Sequence, residues 1–293
     1  MRPEDLARFA SVSDPQLHPD GVRVAFVVSR MDLENDRYER QVWLWDGSAA
    51  RAFTHGPADT RPRWSPDGAR LAFLRATGEE GKPAQVAVMP AAGGEAALIT
   101  SFALGATEGE WSPDGSRLAV VGVEWAGEWA TLDDDERKRH PRRITRAGYR
   151  FDDLGWRHDR RSRACLVSPA GGAPVPLSEG DFHDSGVLWR PDGAAVGFLS
   201  PRHPERYVDG GTQAWEAPAG GGEPRALVEP GGWQALAYRP GGSVHLVGHP
   251  DVWDYPTVAG FWRLEASGPV LLAAHLDRSF APPSPAVVPA GPQ

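Results

Sequence analysis

The twelve residues WSPDGARLAFLR (64–75) decide the fold, because the chain repeats their plan. LHPDGVRVAFVV (17–28), WSPDGSRLAVVG (111–122), WRPDGAAVGFLS (189–200) and YRPGGSVHLVGH (238–249) read alike. The shared prolines, Pro19, Pro66, Pro113, Pro191 and Pro240, are spaced by 47, 47, 78 and 49 residues. An aromatic or apolar residue two positions before each proline (Leu17, Trp64, Trp111, Trp189, Tyr238) is read as the end of one strand. Pro-Asp-Gly then turns the chain: proline presets φ, aspartate bonds nearby backbone, and glycine accepts positive φ. The next strand alternates apolar positions, with Val24 and Phe26, Leu71 and Phe73, Leu118 and Val120, Val196 and Phe198. Period-two spacing predicts that each pair lies on one buried face. The fifth unit is degenerate, with Gly241 in place of aspartate and its apolar pair, Val244 and Leu246, shifted by one.

A second hairpin follows each of these. VWLWDGSAARAFT (42–54), QVAVMPAAGGEAALIT (85–100), ACLVSPAGGAPVPL (164–177), AWEAPAGGGEPRALV (214–228) and FWRLEASGPVLLA (261–273) each read as strand, Gly-rich turn, strand. Each unit therefore holds four strands. A repeated four-stranded unit of roughly 40–50 residues marks a β-propeller blade. The expected fold is all-β, a propeller of about five blades over residues 1–280. The long 78-residue interval places an insertion at about 123–163 in the third blade. Residues 281–293, rich in proline and alanine, are expected to form a disordered tail without a strand.

Composition supports a folded, turn-rich chain. Glycine (34) and proline (28) make up about a fifth of the 293 residues, below the roughly 25–30% of low-complexity chains. Twelve tryptophans accompany them, and disordered chains are poor in aromatics. The net charge is −8, from 31 basic and 39 acidic residues, which argues against general nucleic-acid affinity. A single cysteine, Cys165, excludes an internal disulfide and a multi-cysteine zinc site. It is read as a small buried hydrophobe. No apolar run reaches the roughly 18–20 residues that span a bilayer, and the N-terminus lacks a leader's apolar core. A cytoplasmic protein is expected, without membrane contact.

The W-S-P-D-G-x-R-[LI]-A-F pattern resembles the TolB-type, WD40-like (PD40) propeller repeat, which also occurs in the prolyl oligopeptidase (S9) family of serine peptidases. The insertion narrows the resemblance. ERKRHPRRITRAGYRFDDLGW (136–156) carries Arg142, Ile144, Arg146, Tyr149, Arg150, Asp152 and Gly155 in a pattern similar to the propeller insertion of acylaminoacyl-peptidase-like enzymes. The opening PEDLARFASVSDPQLHPDG and the stretch 198–227 resemble the same group. The resemblance runs from about residue 3 to about residue 279. It implies a propeller, typically of seven blades, that caps an α/β-hydrolase domain bearing a Ser–Asp–His triad. The cap restricts entry to short or partly unfolded peptides, and the chemistry removes N-acylated residues or small peptides. The expected partners are therefore peptides or acylated peptides, the hydrolase domain, and a second copy of the chain.

No G-x-S-x-G nucleophile elbow occurs in the chain, and no βαβ pattern is present to hold one. A truncated or frameshifted product, or a domain fragment, is expected, catalytically inert by itself. The other reading is a stand-alone TolB-like propeller that binds a protein or peptide. No cofactor and no metal are expected. His245, His249 and Asp251 have a four-residue histidine spacing, but on a strand and turn rather than a helix. The turn aspartates Asp20, Asp67, Asp114 and Asp192 occur one per turn, which turn chemistry explains. The acidic-then-basic run 133–139 reads as a solvated helical turn or arm with i,i+3 and i,i+4 pairs.

The candidate substrate-binding residues are Arg142, Arg143, Arg146 and Arg150. A guanidinium presents a planar fork that suits a carboxylate. These arginines admit two roles: contact with a substrate carboxylate or acyl oxygen, and ion pairs within the molecule. Trp125, Trp129 and Trp156 likewise read as packing anchors of the insertion or as an apolar wall for substrate.

Overall fold

The computed structural model describes residues 2–77, 79, 82–152, 155–253, 258–276, 278–280 and 286–289. Five four-stranded antiparallel meanders follow one another. Blade 1 holds β1 (Phe9–Leu17), β2 (Val24–Asp32), β3 (Arg37–Trp45) and β4 (Ala50–Ala52). Blade 2 holds β5 (Ala58–Trp64), β6 (Arg70–Ala76), β7 (Gln85–Pro90) and β8 (Ala97–Leu98). Blade 3 starts with β9 (Ala106–Trp111) and β10 (Leu118–Trp125). It then leaves the sheet through α1 (Asp134–Arg139), β11 (Arg150–Phe151) and β12 (Gly155–Trp156). It returns as β13 (Arg160–Val167) and β14 (Val175–Pro176). Blade 4 holds β15 (Ser185–Trp189), β16 (Ala195–Ser200), β17 (Gln213–Pro218) and β18 (Arg225–Ala226). Blade 5 holds β19 (Ala235–Tyr238), β20 (Val244–Gly248), β21 (Gly260–Glu265) and β22 (Gly268–Leu271). The excursion from blade 3 is 126–159, slightly shorter than expected, because β10 and β13 continue their ladder to Trp125 and Arg160.

The repeated turn works as the sequence suggests. In blade 2, Asp67 Oδ1 accepts the Ser65 hydroxyl (2.5 Å) and the Ala69 N–H (3.0 Å), and Gly68 has φ +68°. Blade 3 repeats this: Asp114 accepts Ser112 Oγ at 2.6 Å and Ser116 N–H at 3.0 Å.

The tryptophan before the turn in blades 2, 3 and 4 has a second task. The Trp64 indole donates to Gln16 O (3.2 Å), Trp111 to Arg63 O (2.9 Å), and Trp189 to Glu110 O (3.1 Å). Each indole thus ties the first strand of one blade to the first strand of the preceding blade. The arginine after the turn covers the next tryptophan. Arg70 lies 4.7 Å from the Trp111 ring and donates to Gly115 O (3.0 Å), and Arg117 lies 5.2 Å from Trp189. Such cation–π contacts are worth roughly 0.5–2 kcal/mol, most when desolvated.

The core consists of faces between blades. Leu71 and Phe73 point back into a cluster with Ala25, Val42 and Leu44 of blade 1. Ala72 and Leu74 point forward to Leu118 and Val120 of blade 3. Ala119 and Val121 meet Val196 and Phe198 of blade 4, and Leu199 meets Leu246 of blade 5. The large alternating pair of each repeat therefore faces the preceding blade.

In blades 2 to 4 the expected pair is buried on one face, and the opposite face of the second strand is buried as well. The expectation fails in blade 1. In blade 1 the expected pair, Val24 and Phe26, is only half-buried, while Ala25 and Val27 are buried. The reason is positional: among the described residues no preceding blade covers blade 1. Blade 5 makes no extensive contact with blade 1 among the described residues, so the sheets do not close into a ring.

One strand lies where none was expected. β23 (Ala286–Pro289) pairs antiparallel with Phe9–Val12 of β1, on the edge of β1 that β2 leaves open. The rest of 281–293 lies outside the described residues. No described helix is long and apolar enough to cross a membrane.

Candidate functional site

A meander reverses direction at every strand. The connection between second and third strands and the connection to the next blade therefore leave from the same end. In blades 3 and 4 this brings three segments together: the insertion, the link 177–184 into blade 4, and the blade 4 loop 201–212. They enclose a cavity of about 710 Å³.

The insertion is built on aromatic rings. Trp129 is buried (4% exposed). The Arg142 guanidinium lies between it (4.2 Å) and Trp156 (4.6 Å). Arg142 also donates to Asp159 Oδ2 at 2.6 Å, and Arg160 Nε donates to Asp159 Oδ1 at 2.8 Å. Burial would raise the Asp159 carboxyl; hydrogen bonds from Arg160 and Arg142 outweigh it and hold the group below the usual range. His140 and His158 meet Trp129 edge-on at 4.8 and 5.8 Å. Trp125 lies under Arg137 and Arg160. The helix α1 is capped by Asp133 and carries exposed i,i+3 pairs, Arg137 with Asp134 and Lys138 with Asp135.

The cavity wall carries the other charges. Asp181 is shared by Arg146 and Arg161; Arg161 Nε donates to it at 2.5 Å. Burial would raise Asp181, but the bonds from Arg146 and Arg161 hold it down at about 2. Arg146 also donates to Tyr207 Oη (2.7 Å) and lies over that ring. Asp184 is buried (2% exposed) and accepts from Ser178 Oγ (2.5 Å), Ala164 N–H (3.1 Å) and Arg202 (2.9 Å). His203 and Asp209 pair at 2.8 Å within the blade 4 loop. His183 is pushed down to about 3, first by burial and then by Arg157, Arg161 and Arg146 around it.

The four arginines singled out in the sequence separate. Arg142 lies inside the insertion between its tryptophans. Arg146 stands on the cavity wall. Arg143 is exposed and lines a second cavity of about 550 Å³ on the other side of Arg146 and Arg161. Arg150 is exposed, 5.4 Å from the Trp156 ring. Arg157, Arg161, Asp181, Arg206 and Tyr207, which the sequence motifs do not single out, line the larger cavity, together with His183, which reads in the sequence as a surface or turn histidine. The signal was present in RHDRRSR (157–163), which continues the basic run past the quoted motif.

Among the described residues, no group of three His, Cys, Asp or Glu side chains is placed to hold a metal. His245 is buried and stacks on Phe261 at 5.4 Å, and His249 contacts Asp251 O through Nδ1. Cys165 is buried, and burial followed by the charge of Asp184 pushes its thiol up to about 12.

Among solved structures, the acylaminoacyl peptidase of Pyrococcus horikoshii matches with a TM-score of 0.72 and 19% identity, over 94% of this chain and 41% of that one. The propeller domain of the trilobed protease of Pyrococcus furiosus, described as having an open velcro topology, matches with a TM-score of 0.62 and 18% identity, over 92% and 74%. A putative TolB from Agrobacterium tumefaciens gives 0.56 and 19%, over 88% and 78%. The fold is a TolB-like β-propeller. Its neighbours include the propellers of peptidases. A curated protein of Bacillus subtilis, described as the uncharacterized peptidase YuxL, is 38% identical over 64 residues, 21% of this chain and 10% of that protein. No family model matches. This chain spans about two fifths of the acylaminoacyl peptidase and a tenth of the curated peptidase.

Proposed function

We propose that this chain is the substrate-gating propeller of an acylaminoacyl-peptidase-like serine peptidase. The supporting observation is the third-blade insertion, which walls a cavity of peptide size on one face of a propeller similar to that of acylaminoacyl peptidase. In this reading peptides or acylated peptides meet the insertion face, and an α/β-hydrolase domain supplies the nucleophile. Arg143, Arg146 and Arg150 contact substrate, and Arg142 holds the insertion in shape for them. The chain itself performs no hydrolysis. Ser162 is the serine beside a cavity histidine, yet its hydroxyl donates to Asp184 O (2.9 Å), and His183 Nδ1 stands off at 3.4 Å. A nucleophile's hydroxyl hydrogen bonds to its base, whereas the Ser162 proton is committed to a backbone carbonyl. The setting is cytoplasmic, and a second copy of the chain is a further partner.

A second reading is a TolB-like interaction module, favoured by the larger share of the putative TolB that the chain covers. A fluorophosphonate probe separates the two. Cell extract is labelled and the propeller detected on the same gel. The peptidase reading expects the propeller in a labelled band. An unlabelled band of the chain's own size supports the interaction module instead.

A further inference from the structure

Two guanidiniums of the larger cavity pair with no carboxylate among the described residues. Arg157 is half-buried, 5.2 Å from the Phe151 ring, and pairs with no carboxylate among the described residues. Arg206 lies over Phe182 (5.2 Å) and Tyr207 (4.5 Å) and donates once, to His203 O at 2.9 Å. Its Nε is buried without a hydrogen-bond partner. Buried polar groups are rarely left unpaired, so each such case asks for a missing partner.

The acids of the wall are already engaged. Asp181 serves Arg146 and Arg161, Asp184 serves Arg202, and Asp209 serves His203. The cavity therefore keeps an excess of positive charge. His183 reports that field, since Arg157, Arg161 and Arg146 all oppose its protonation after burial has done so. Around the two free forks stand rings: Tyr149, Phe151, Phe182 and Tyr207.

We propose that this cavity binds the free C-terminal carboxylate of a peptide, with Arg157 and Arg206 as its anion-holding residues and the rings receiving an apolar terminal side chain. The carboxylate accepts hydrogen bonds from the two forks, a charge-assisted contact stronger than a neutral one. The choice of a peptide as the bearer rests on the function proposed above; the two unpaired guanidiniums do not.

The test uses the 293-residue chain and two probes, the tetrapeptide Ala-Ala-Ala-Phe and its C-terminal amide. Binding is read by titration calorimetry at low salt. The free acid is expected to bind at least about tenfold more tightly than the amide. Arg157→Gln and Arg206→Gln are each expected to bring the acid to the amide's level, and Lys82→Gln, on the blade 2 loop, to leave the difference intact. Equal binding of acid and amide by the unmodified chain overturns the proposal and leaves the peptidase reading standing, so the two can fail separately. A difference that survives in both arginine variants, folded by circular dichroism, also overturns it. The comparison within the unmodified chain decides even where a variant fails to fold.

Discussion

Blade 1 and blade 2 carry the same repeat and bury it differently. Leu71 and Phe73 of blade 2 are 0% and 1% exposed, whereas Val24 and Phe26, at the same places in blade 1, are half-buried. The residues do not differ in kind; their neighbours do. The large pair of each repeat points to the preceding blade, where small residues such as Ala25 receive it. Blade 1 has no preceding blade among the described residues. The repeat thus encodes a direction of packing, large face against small face, that one unit alone cannot satisfy. A propeller repeat is half an interface.

The largest expected effect sets these two blades against each other. Phe73→Ala leaves a cavity between blades 1 and 2 and should cost about 3–5 kcal/mol, the usual range for a fully buried phenylalanine. Phe26→Ala should cost less, about 1–3 kcal/mol, because part of that side chain is already in water. Urea unfolding midpoints of the two variants check this. Equal losses would mean that something covers the open face of blade 1 in solution.

A smaller effect probes the receiving face. Gly197 takes the place in blade 4 that Ala72 takes in blade 2. A Cβ there would come within 2.6 Å of Leu236 Cδ2 and 2.8 Å of Tyr238 Oη in blade 5. Tyr238 cannot swing away freely, since its hydroxyl donates to Glu216 Oε2 at 2.9 Å. Gly197→Ala should cost about 1–3 kcal/mol by overpacking. Gly241→Ala, in the degenerate turn with open space around it, should stay within about 0.5 kcal/mol. A neutral Gly197→Ala, read from the same unfolding curves, would show that blade 5 sits more loosely on blade 4 than blade 2 sits on blade 1.

These particulars show what the sequence carried. The five turns, the four strands per blade and the third-blade insertion were legible, because Pro-Asp-Gly and period-two alternation are local properties of the chain. The residues that end the first strands, Leu17, Trp64, Trp111, Trp189 and Tyr238, end them in the structure as well. Which face an apolar pair turns to was not legible, because it depends on the next blade. Nor was the indole bond to the preceding blade. Of the arginines singled out, Arg142 drew notice for its motif, yet it packs between Trp129 and Trp156. Arg157 and Arg206 carry no such motif; they come to line one cavity only when the insertion and the blade 4 loop fold to the same face. β23 escaped because a Pro/Ala stretch has little strand propensity, and its pairing depends on the open edge of β1.

The interface between blades 3 and 4 carries a half-buried histidine among arginines, whereas the charges between blades 1 and 2 include the Arg63–Asp14 pair at 3.0 Å. Folded, His183 takes up its proton only near pH 3; unfolded, near 6.5. Between those values the unfolded chain holds more protons, so stability falls as the pH falls through this window. One proton of difference sets a limit of about 1.4 kcal/mol per pH unit, and solvent at the cavity mouth lowers it. His183→Gln, which cannot titrate, should flatten the slope between pH 6.5 and 5 without moving the stability at pH 7.5 by a comparable amount. Asp181 works in a lower window. Its folded pKa is depressed, so its pairing with Arg146 and Arg161 is intact above about pH 4 and is lost as the pH falls toward about 2. Unfolding midpoints of the unmodified chain and of His183→Gln at pH 7.5, 6.5, 5.5 and 4.5 isolate the His183 contribution as the difference between the two slopes, in a range where Asp181 stays ionised. An unchanged slope in the variant would mean that His183 is hydrated in the folded chain, and that the arginines around it are better screened than their burial suggests.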